Sequence, residues 1–399
     1  MIAVCGALTL LSSVPGTAVA ACPQQTAPPP PVDSSEIPAP GTLTPTPMSI
    51  PDRPVGGPRM GECGLVLPAG APAPPAGINA MSWLIADADS GAVLAAKDPH
   101  ARHRPASTIK LLTALLAADR LPADRVVVAT QADADQEGSR VGLGPGGRYT
   151  VRQLLTGLLL ASGNDATHAL ANQLGGVAAT VEQMNELAAR LGARDTRAAT
   201  PSGLDGPGMS SSAYDLALAL REVLSRPLLR ELLGTRQVIF PGFGGRPGFV
   251  VSNDNKLLRI YPGALGGKTG FTDDARHTLV DAAQRGGQRL IVVLLRGEQR
   301  PVSMSEQAAR LLDYGFALSP DSSIGRLVAE GELPEPAVSS PRAPGAMPKL
   351  PRPGARAIPE GVAGDSDRAA GPLPVVLWIG SAVIVLAVLG ALVARQRHR

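Results

Sequence analysis

Ser107 and Lys110 stand three positions apart in Ser107-Thr108-Ile109-Lys110. A serine hydroxyl is a poor nucleophile and needs a nearby base to take its proton. With Ser107 in the first turn of a helix, Lys110 lies on the same face one turn on, so its amine can reach Oγ. Lysine is a base only when neutral, so its pKa must fall. Burial and a second cation both push that way, and Lys268 is the candidate cation. A helix N-terminus also stabilises negative charge on the nucleophile. Judged alone, Ser107 could simply cap a helix and Lys110 could be a solvated surface residue.

Two further groups stand downstream. Ser162-Gly163-Asn164 falls in the break between two helical segments. A hydroxyl there can relay a proton between Lys110 and a leaving amine. The Asn164 amide can donate to a substrate carbonyl and help position Lys110, and Gly163 permits a sharp turn. The bland alternative is an ordinary helix stop. Lys268-Thr269-Gly270 precedes a hairpin pattern and should lie on a strand at the edge of a cleft. A cation plus a hydroxyl suits a substrate's terminal carboxylate. Gly270 has no side chain to block a peptide lying along the strand, and Gly266-Gly267 keep that edge bare. The backbone N–H groups of Ser107 and Phe271 would form an oxyanion hole. A plain Lys-Thr-Gly turn is the alternative.

The elements that must position these residues are legible as periodicities. Apolar runs at 82–86 and 92–95 flank Asp87-Ala88-Asp89-Ser90-Gly91 and read as a β-hairpin. From 108 to 118 apolar residues recur on a helical period over much of the circumference, so this helix should be central. Helices are expected at 151–161, 165–174, 181–191, 212–224 and 305–314, and a second hairpin at 277–283 and 290–295 around Arg285-Gly286-Gly287-Gln288. Strands at both ends with helices between predict an α+β fold. Its antiparallel sheet joins N- and C-terminal strands and packs against helices, with a helical subdomain in between.

Composition bounds the rest. Of 399 residues, 18% are charged and 3% aromatic, with 45 glycines and 39 prolines. The prolines concentrate at 22–77 and 319–374, which read as disordered, extended linkers flanking a domain at 78–318. The net charge is +3 and no basic run is interleaved with aromatics, so nucleic acid is not expected as a partner. Residues 2–21 are apolar or small and end in Ala18-Val19-Ala20, so 1–21 reads as a signal peptide. The first basic residue is Arg53, so the basic lead that normally precedes such a core is missing, as if the start were placed too late. Residues 375–394 carry no charge and are long enough to cross a bilayer as a helix; the basic tail 395–399 puts that end in the cytoplasm. The expectation is a cell-membrane protein with one C-terminal span and its catalytic domain outside.

Of three cysteines, Cys5 leaves with the signal peptide, which leaves Cys22 and Cys63 to pair in an oxidising compartment. Val19-Ala20-Ala21-Cys22 also resembles a lipid-attachment site, so lipidation is the rival fate of Cys22. His100, His103, His168 and His277 are not paired at metal spacing and read as structural or surface residues; no metal or cofactor is expected. Asp273, Asp274, Arg276 and His277 should shape the turn after the Lys268 strand.

Over residues 82–318 the chain resembles the D-alanyl-D-alanine carboxypeptidases, the low-molecular-mass penicillin-binding proteins of the β-lactamase/transpeptidase-like superfamily. The resemblance rests on Asp89-Ser90-Gly91, Arg104-Pro105-Ala106-Ser107, Leu160-Ala161-Ser162-Gly163-Asn164-Asp165 and Gly267-Lys268-Thr269-Gly270-Phe271-Thr272. It implies removal of the terminal D-alanine from peptidoglycan stem pentapeptides through an acyl-enzyme on Ser107, without a metal, and acylation of the same serine by β-lactams. Ile109 stands where threonine is common in the family. A Pro-rich linker and a membrane span take the place of the β-rich domain and amphipathic C-terminal helix of many relatives. Two alternatives remain: a β-lactamase, which in class A uses a deacylating glutamate, and a non-catalytic wall-binding protein. Glu182, Glu186, Glu222 and Glu231 all fall on stretches that read as amphipathic helices.

Overall fold

The computed structural model describes residues 22–319 and 322–333. The expected signal peptide, most of the second Pro-rich stretch, the apolar run at 375–394 and the basic tail lie outside these residues. Among the described residues no helix is long and apolar enough to cross a membrane.

The sheet strands are β1 (Leu65–Val66), β2 (Ser82–Asp87), β3 (Ala92–Lys97), β4 (Ala264–Thr272), β5 (Arg276–Arg285), β6 (Gln288–Gly297) and β7 (Gly325–Arg326). They pair antiparallel in the order β1-β3-β2-β6-β5-β4, with β7 also on β3. The two predicted hairpins are present, and β6 against β2 joins the C-terminal strands to the N-terminal ones, with Val292 opposite Ile85. Strand β4, which carries Lys268-Thr269-Gly270, forms one end of this order.

The apolar runs bury both faces of the sheet, because alternate residues point to opposite sides. Leu84, Ala86, Ile291, Val293 and Leu295 join the larger core, while Trp83, Ile85, Leu290, Val292 and Leu294 join a second core on the other face. The longer helices are α1 (Lys110–Arg120), α2 (Val151–Leu160), α3 (Asn164–Gln173), α4 (Val177–Leu191), α5 (Ala213–Ser225) and α6 (Met304–Ala317), with shorter ones at Gln131–Ala134, Pro227–Gly234 and Leu257–Ile260. Leu111, Leu115, Leu154 and Leu158 of α1 and α2 are fully or almost fully buried in the larger core, and Ala308, Leu311 and Leu312 of α6 fill the second. Polar caps fix the starts: Thr150 and Gln153 form a capping box on α2, and Ser212 and Ser303 cap α5 and α6.

Two expectations need correction. Residues 22–77 are not a free linker. Met60 and Val66 are fully buried, β1 pairs with β3, and Cys22 is bonded to Cys63. The fold also continues past 318, since Ile324, Leu327 and Val328 are buried and β7 pairs with β3. Proline content argues against a segment building its own core, but not against docking its carbonyls on donors offered by a neighbouring core. Arg102 is such a donor: its guanidinium reaches the carbonyls of Thr26, Met48 and Ser49 at 2.8–3.0 Å.

Candidate active site

Ser107 sits in a single 3-10 turn, Ala106–Ile109, which runs straight into α1 at Lys110. The sequence had suggested an α-helical first turn. The tighter 3-10 geometry eclipses positions i and i+3, which sets Lys110 directly over Ser107. Lys110 Nζ lies 2.7 Å from Ser107 Oγ. It also donates to the carbonyl of Ser202 at 2.6 Å. Lys110 is fully buried. Burial first, and the positive charge of Lys268 second, hold its pKa well below the ordinary lysine value, against a smaller opposing pull from Asp165.

The second group closes the helical side. Ser162 takes the left-handed conformation at φ 55°, a backbone state that costs a non-glycine residue on the order of 1 kcal/mol. The sharp turn is therefore made at Ser162, and Gly163, at φ −58°, is needed for space instead. A Cβ on Gly163 would lie 2.7 Å from Asp165 Oδ1 and 3.0 Å from the Val141 nitrogen. The Asp165 carboxylate accepts from the backbone N–H groups of Val141, Gly142 and Leu143 at 2.8–2.9 Å, which pins that loop to the start of α3. Asn164 Nδ2 donates to the Glu137 carbonyl at 2.6 Å, and its buried Oδ1 has no protein partner. That free acceptor fits an incoming N–H. The expected contact between Asn164 and Lys110 is not among the hydrogen bonds; Ser202 holds the amine instead.

The sheet side is β4. Lys268 is almost fully buried and donates to the Thr269 carbonyl at 2.7 Å. Burial lowers its pKa to about 8, while the charge of Asp254 opposes the fall. A Cβ on Gly270 would stand 2.5 Å from Thr278 Oγ1, 2.8 Å from the Ser107 nitrogen and 3.0 Å from Ala106 Cβ, so only glycine lets the strand and the nucleophile turn touch. Ala106 itself is left-handed at φ 48°. Thr278 Oγ1 donates to the Pro105 carbonyl at 2.9 Å and ties that turn to the sheet.

Ser107, Ser162, Thr269, Gly270 and Phe271 thus line one cleft of about 300 Å³, joined by Asp254 and His277. Lys110, Asn164 and Lys268 are buried behind its surface. His277, expected to be structural, lines the cleft with its ring 4.5 Å from that of Phe271. A larger cavity of about 490 Å³ between the N-terminal segment and His100 contains none of these residues. Two clusters, His100 with Asp195 and Asp215, and Glu36 with Asp205 and Asp274, bring ligand atoms within metal-site distances of one another. Each already contains an arginine: Arg102 on Asp195 and Arg104 on Glu36.

Ser202, Asp165 and Asp254 complete this site, and only Asp165 adjoins a motif in sequence. A hydroxyl 2.7 Å from a buried amine of lowered pKa, facing a lysine-bearing strand across a narrow cleft, is equipped for acyl transfer through a covalent intermediate.

Comparison with known proteins agrees with this geometry. The sequence model of the D-alanyl-D-alanine carboxypeptidases matches residues 69–299. A D-alanyl-D-alanine carboxypeptidase of Mycobacterium tuberculosis is 48% identical over 266 residues, 66% of this chain and 90% of the relative. The crystal structure of a D-alanyl-D-alanine carboxypeptidase from that organism superposes with a TM-score of 0.63 at 47% identity, covering 66% of this chain and all of the other. A Streptomyces DD-transpeptidase structure gives a TM-score of 0.58 at 30% identity, covering 60% of this chain and 99% of the other.

Proposed function

The chain belongs to the D-alanyl-D-alanine carboxypeptidase family, and from that premise we propose that it removes the terminal D-alanine of peptidoglycan stem peptides through an acyl-enzyme on Ser107. The observation that carries this reading is the 2.7 Å approach of Ser107 Oγ to the buried amine of Lys110. In the first half-reaction Oγ attacks the carbonyl of the penultimate D-alanine and its proton passes to Lys110 Nζ. The N–H groups of Ser107 and Phe271 hold the oxyanion. Collapse breaks the peptide bond, and the leaving amine takes its proton from Lys110 through the Ser162 hydroxyl. Lys268 and Thr269 bind the terminal carboxylate, and Asn164 Oδ1 accepts an N–H of the substrate. Water then attacks the ester and its proton goes to Lys110; collapse breaks the acyl–Oγ bond, and Lys110 returns that proton to Ser107 Oγ. β-Lactams acylate the same hydroxyl. The glutamates considered for a β-lactamase do not line the cleft: Glu222 pairs with Arg226 and Glu231 with Arg152.

The test is incubation with a fluorescent penicillin, mass mapping of the adduct, and product analysis on a D-Ala-D-Ala peptide. A stable adduct on Ser107 and release of one D-alanine support the reading. Fast penicillin turnover would replace it with the β-lactamase, and unchanged labelling of Ser107→Ala would end it.

The same reading extends to location. Residues 375–394 would anchor the chain in the cell membrane, with the catalytic domain outside, and the Pro-rich stretch before them would act as a spacer. About fifty such residues at roughly 3.1 Å each reach on the order of 150 Å when extended. Shortening this stretch should spare activity on soluble peptides and lower it on intact wall; equal loss on both would sink the spacer.

A further inference from the structure

The residues matched by the family model begin at 69, so the disulfide-closed segment from Cys22 to Cys63 lies outside them. This segment docks on the stretch that leads to the nucleophile. Arg102 N–H donates to the Gln24 carbonyl at 2.7 Å, and the Arg102 side chain holds the carbonyls of Thr26, Met48 and Ser49. Two residues on, Arg104 is 2% exposed. Its Nε pairs with the Glu36 carboxylate and its Nη1 donates to the Pro29 carbonyl at 2.5 Å. From the rest of the fold the carboxylate paired with Arg104 is Asp274, at 4.0 Å.

Asp274 is engaged by the same segment. Its carboxylate accepts from the Val32 N–H and from Ser35 Oγ. Arg104 stands three residues before Ser107, and Asp274 two residues beyond the end of β4. Residues 29–36 therefore grip both walls of the cleft at their outer ends. Between Arg104 and Ser107 lie only Pro105, whose φ is fixed by its ring, and Ala106 in its left-handed state. A shift of the Arg104 backbone is passed to Ser107 with few soft torsions to absorb it. A buried guanidinium that loses the nearer of its two paired carboxylates, keeping only Asp274 at 4.0 Å, is held less well where it is, so removing Glu36 should release that shift.

We propose that the segment closed by Cys22 and Cys63 is a clasp for the catalytic turn, and that Glu36 is a positioning residue that acts on Ser107 through Arg104. The inference rests on the reading of Ser107 as the nucleophile. Because the clasp is closed by a disulfide, cleavage of that bond should act on the nucleophile in the same direction as loss of Glu36.

The experiment uses the full chain in detergent, a fluorescent penicillin as probe, and single-turnover labelling at several probe concentrations. This separates the acylation rate constant from the initial binding constant. The end point of labelling counts folded, competent sites, so each rate constant refers to the folded fraction. Glu36→Ala should slow acylation about tenfold, as expected when a reacting group is held less well, while initial binding changes less than about twofold. Glu36→Asp should recover part of the loss, and Cys22→Ser with Cys63→Ser should slow acylation in the same way. Should Glu36→Ala fold poorly, Glu36→Gln keeps the shape and loses the charge, and the same slowing is expected. A merely structural role would lower the melting temperature and the labelled fraction but leave the acylation rate constant unchanged, and that result overturns the proposal. Absence of any adduct on Ser107 in the unmodified protein would overturn the nucleophile reading itself, a different and recognisable failure.

Discussion

Each wall of the cleft buries one lysine, and the two are tuned differently. Lys110 on the helical wall is driven well below the ordinary lysine range, while Lys268 on the sheet wall falls to about 8. Both are stripped of water to a similar degree. The difference lies in their neighbours. Asp254 favours the charged form of Lys268. Lys110 feels Lys268 as a like charge, and the Asp165 carboxylate near it already accepts from three loop N–H groups. Burial alone therefore does not choose which amine is the base. A single carboxylate, Asp254, favours the charged form of one lysine, and that cation helps to lower the pKa of the other.

Removing the base is the hardest blow to this arrangement. Lys110→Ala should slow acylation by a fluorescent penicillin about a thousandfold, the scale of general-base catalysis. Stopped-flow labelling measures it, with Ser107→Ala as the blank. A loss of less than about tenfold would mean that the helical-wall lysine is not the proton acceptor. The next blow is to the seam between the walls. Gly270→Ala puts a methyl group 2.8 Å from the Ser107 nitrogen and forces the strand away from the nucleophile turn. Misplacement on that scale should cost about a hundredfold in acylation, with the melting temperature measured alongside. Unchanged kinetics would mean that the walls need not touch for the oxyanion to be held.

The two walls also differ in how far their chemistry was legible. Lys268-Thr269-Gly270 was expected on a strand at a cleft edge, and β4 is that strand. Ser107 and Lys110 were expected one turn apart, and the pairing came through the tighter 3-10 turn. What stayed hidden is what acts through the backbone. The Ser202 carbonyl that holds Lys110 could belong to any residue type. Gly203 beside it is needed because a Cβ would lie 2.0 Å from the Ala106 oxygen. Composition misjudged the N-terminal segment for the same reason. It counted apolar side chains, whereas the segment is fixed largely by carbonyls on buried arginines and by one disulfide. The six longer helices and the two hairpins of the large sheet were read within a few residues because their buried faces repeat at the period of the backbone. The two-stranded sheet of Val126–Val128 with Arg148–Thr150 was missed, since three-residue strands are too short to show any period.

The mildest perturbation tests the comparison itself. In free enzyme, kcat/KM should rise with pH as Lys110 loses its proton. It should fall again near 8 as Lys268 loses its own. The two limbs have opposite causes: the base must be neutral and the carboxylate-binding group must be charged. A bound substrate carboxylate favours the charged form of Lys268, so the alkaline limb of kcat should lie above that of kcat/KM. Asp254→Asn removes the charge that supports Lys268 and should move the alkaline limb of kcat/KM to lower pH, a loss of roughly threefold at pH 8. The acidic limb responds in the other sense. A less charged Lys268 repels a proton on Lys110 less, so Lys110 should titrate slightly higher and the two limbs should draw together. Hydrolysis of a D-Ala-D-Ala peptide across the pH range measures both. If only the alkaline limb moved, the two lysines would be tuned independently, and each wall would set its own charge.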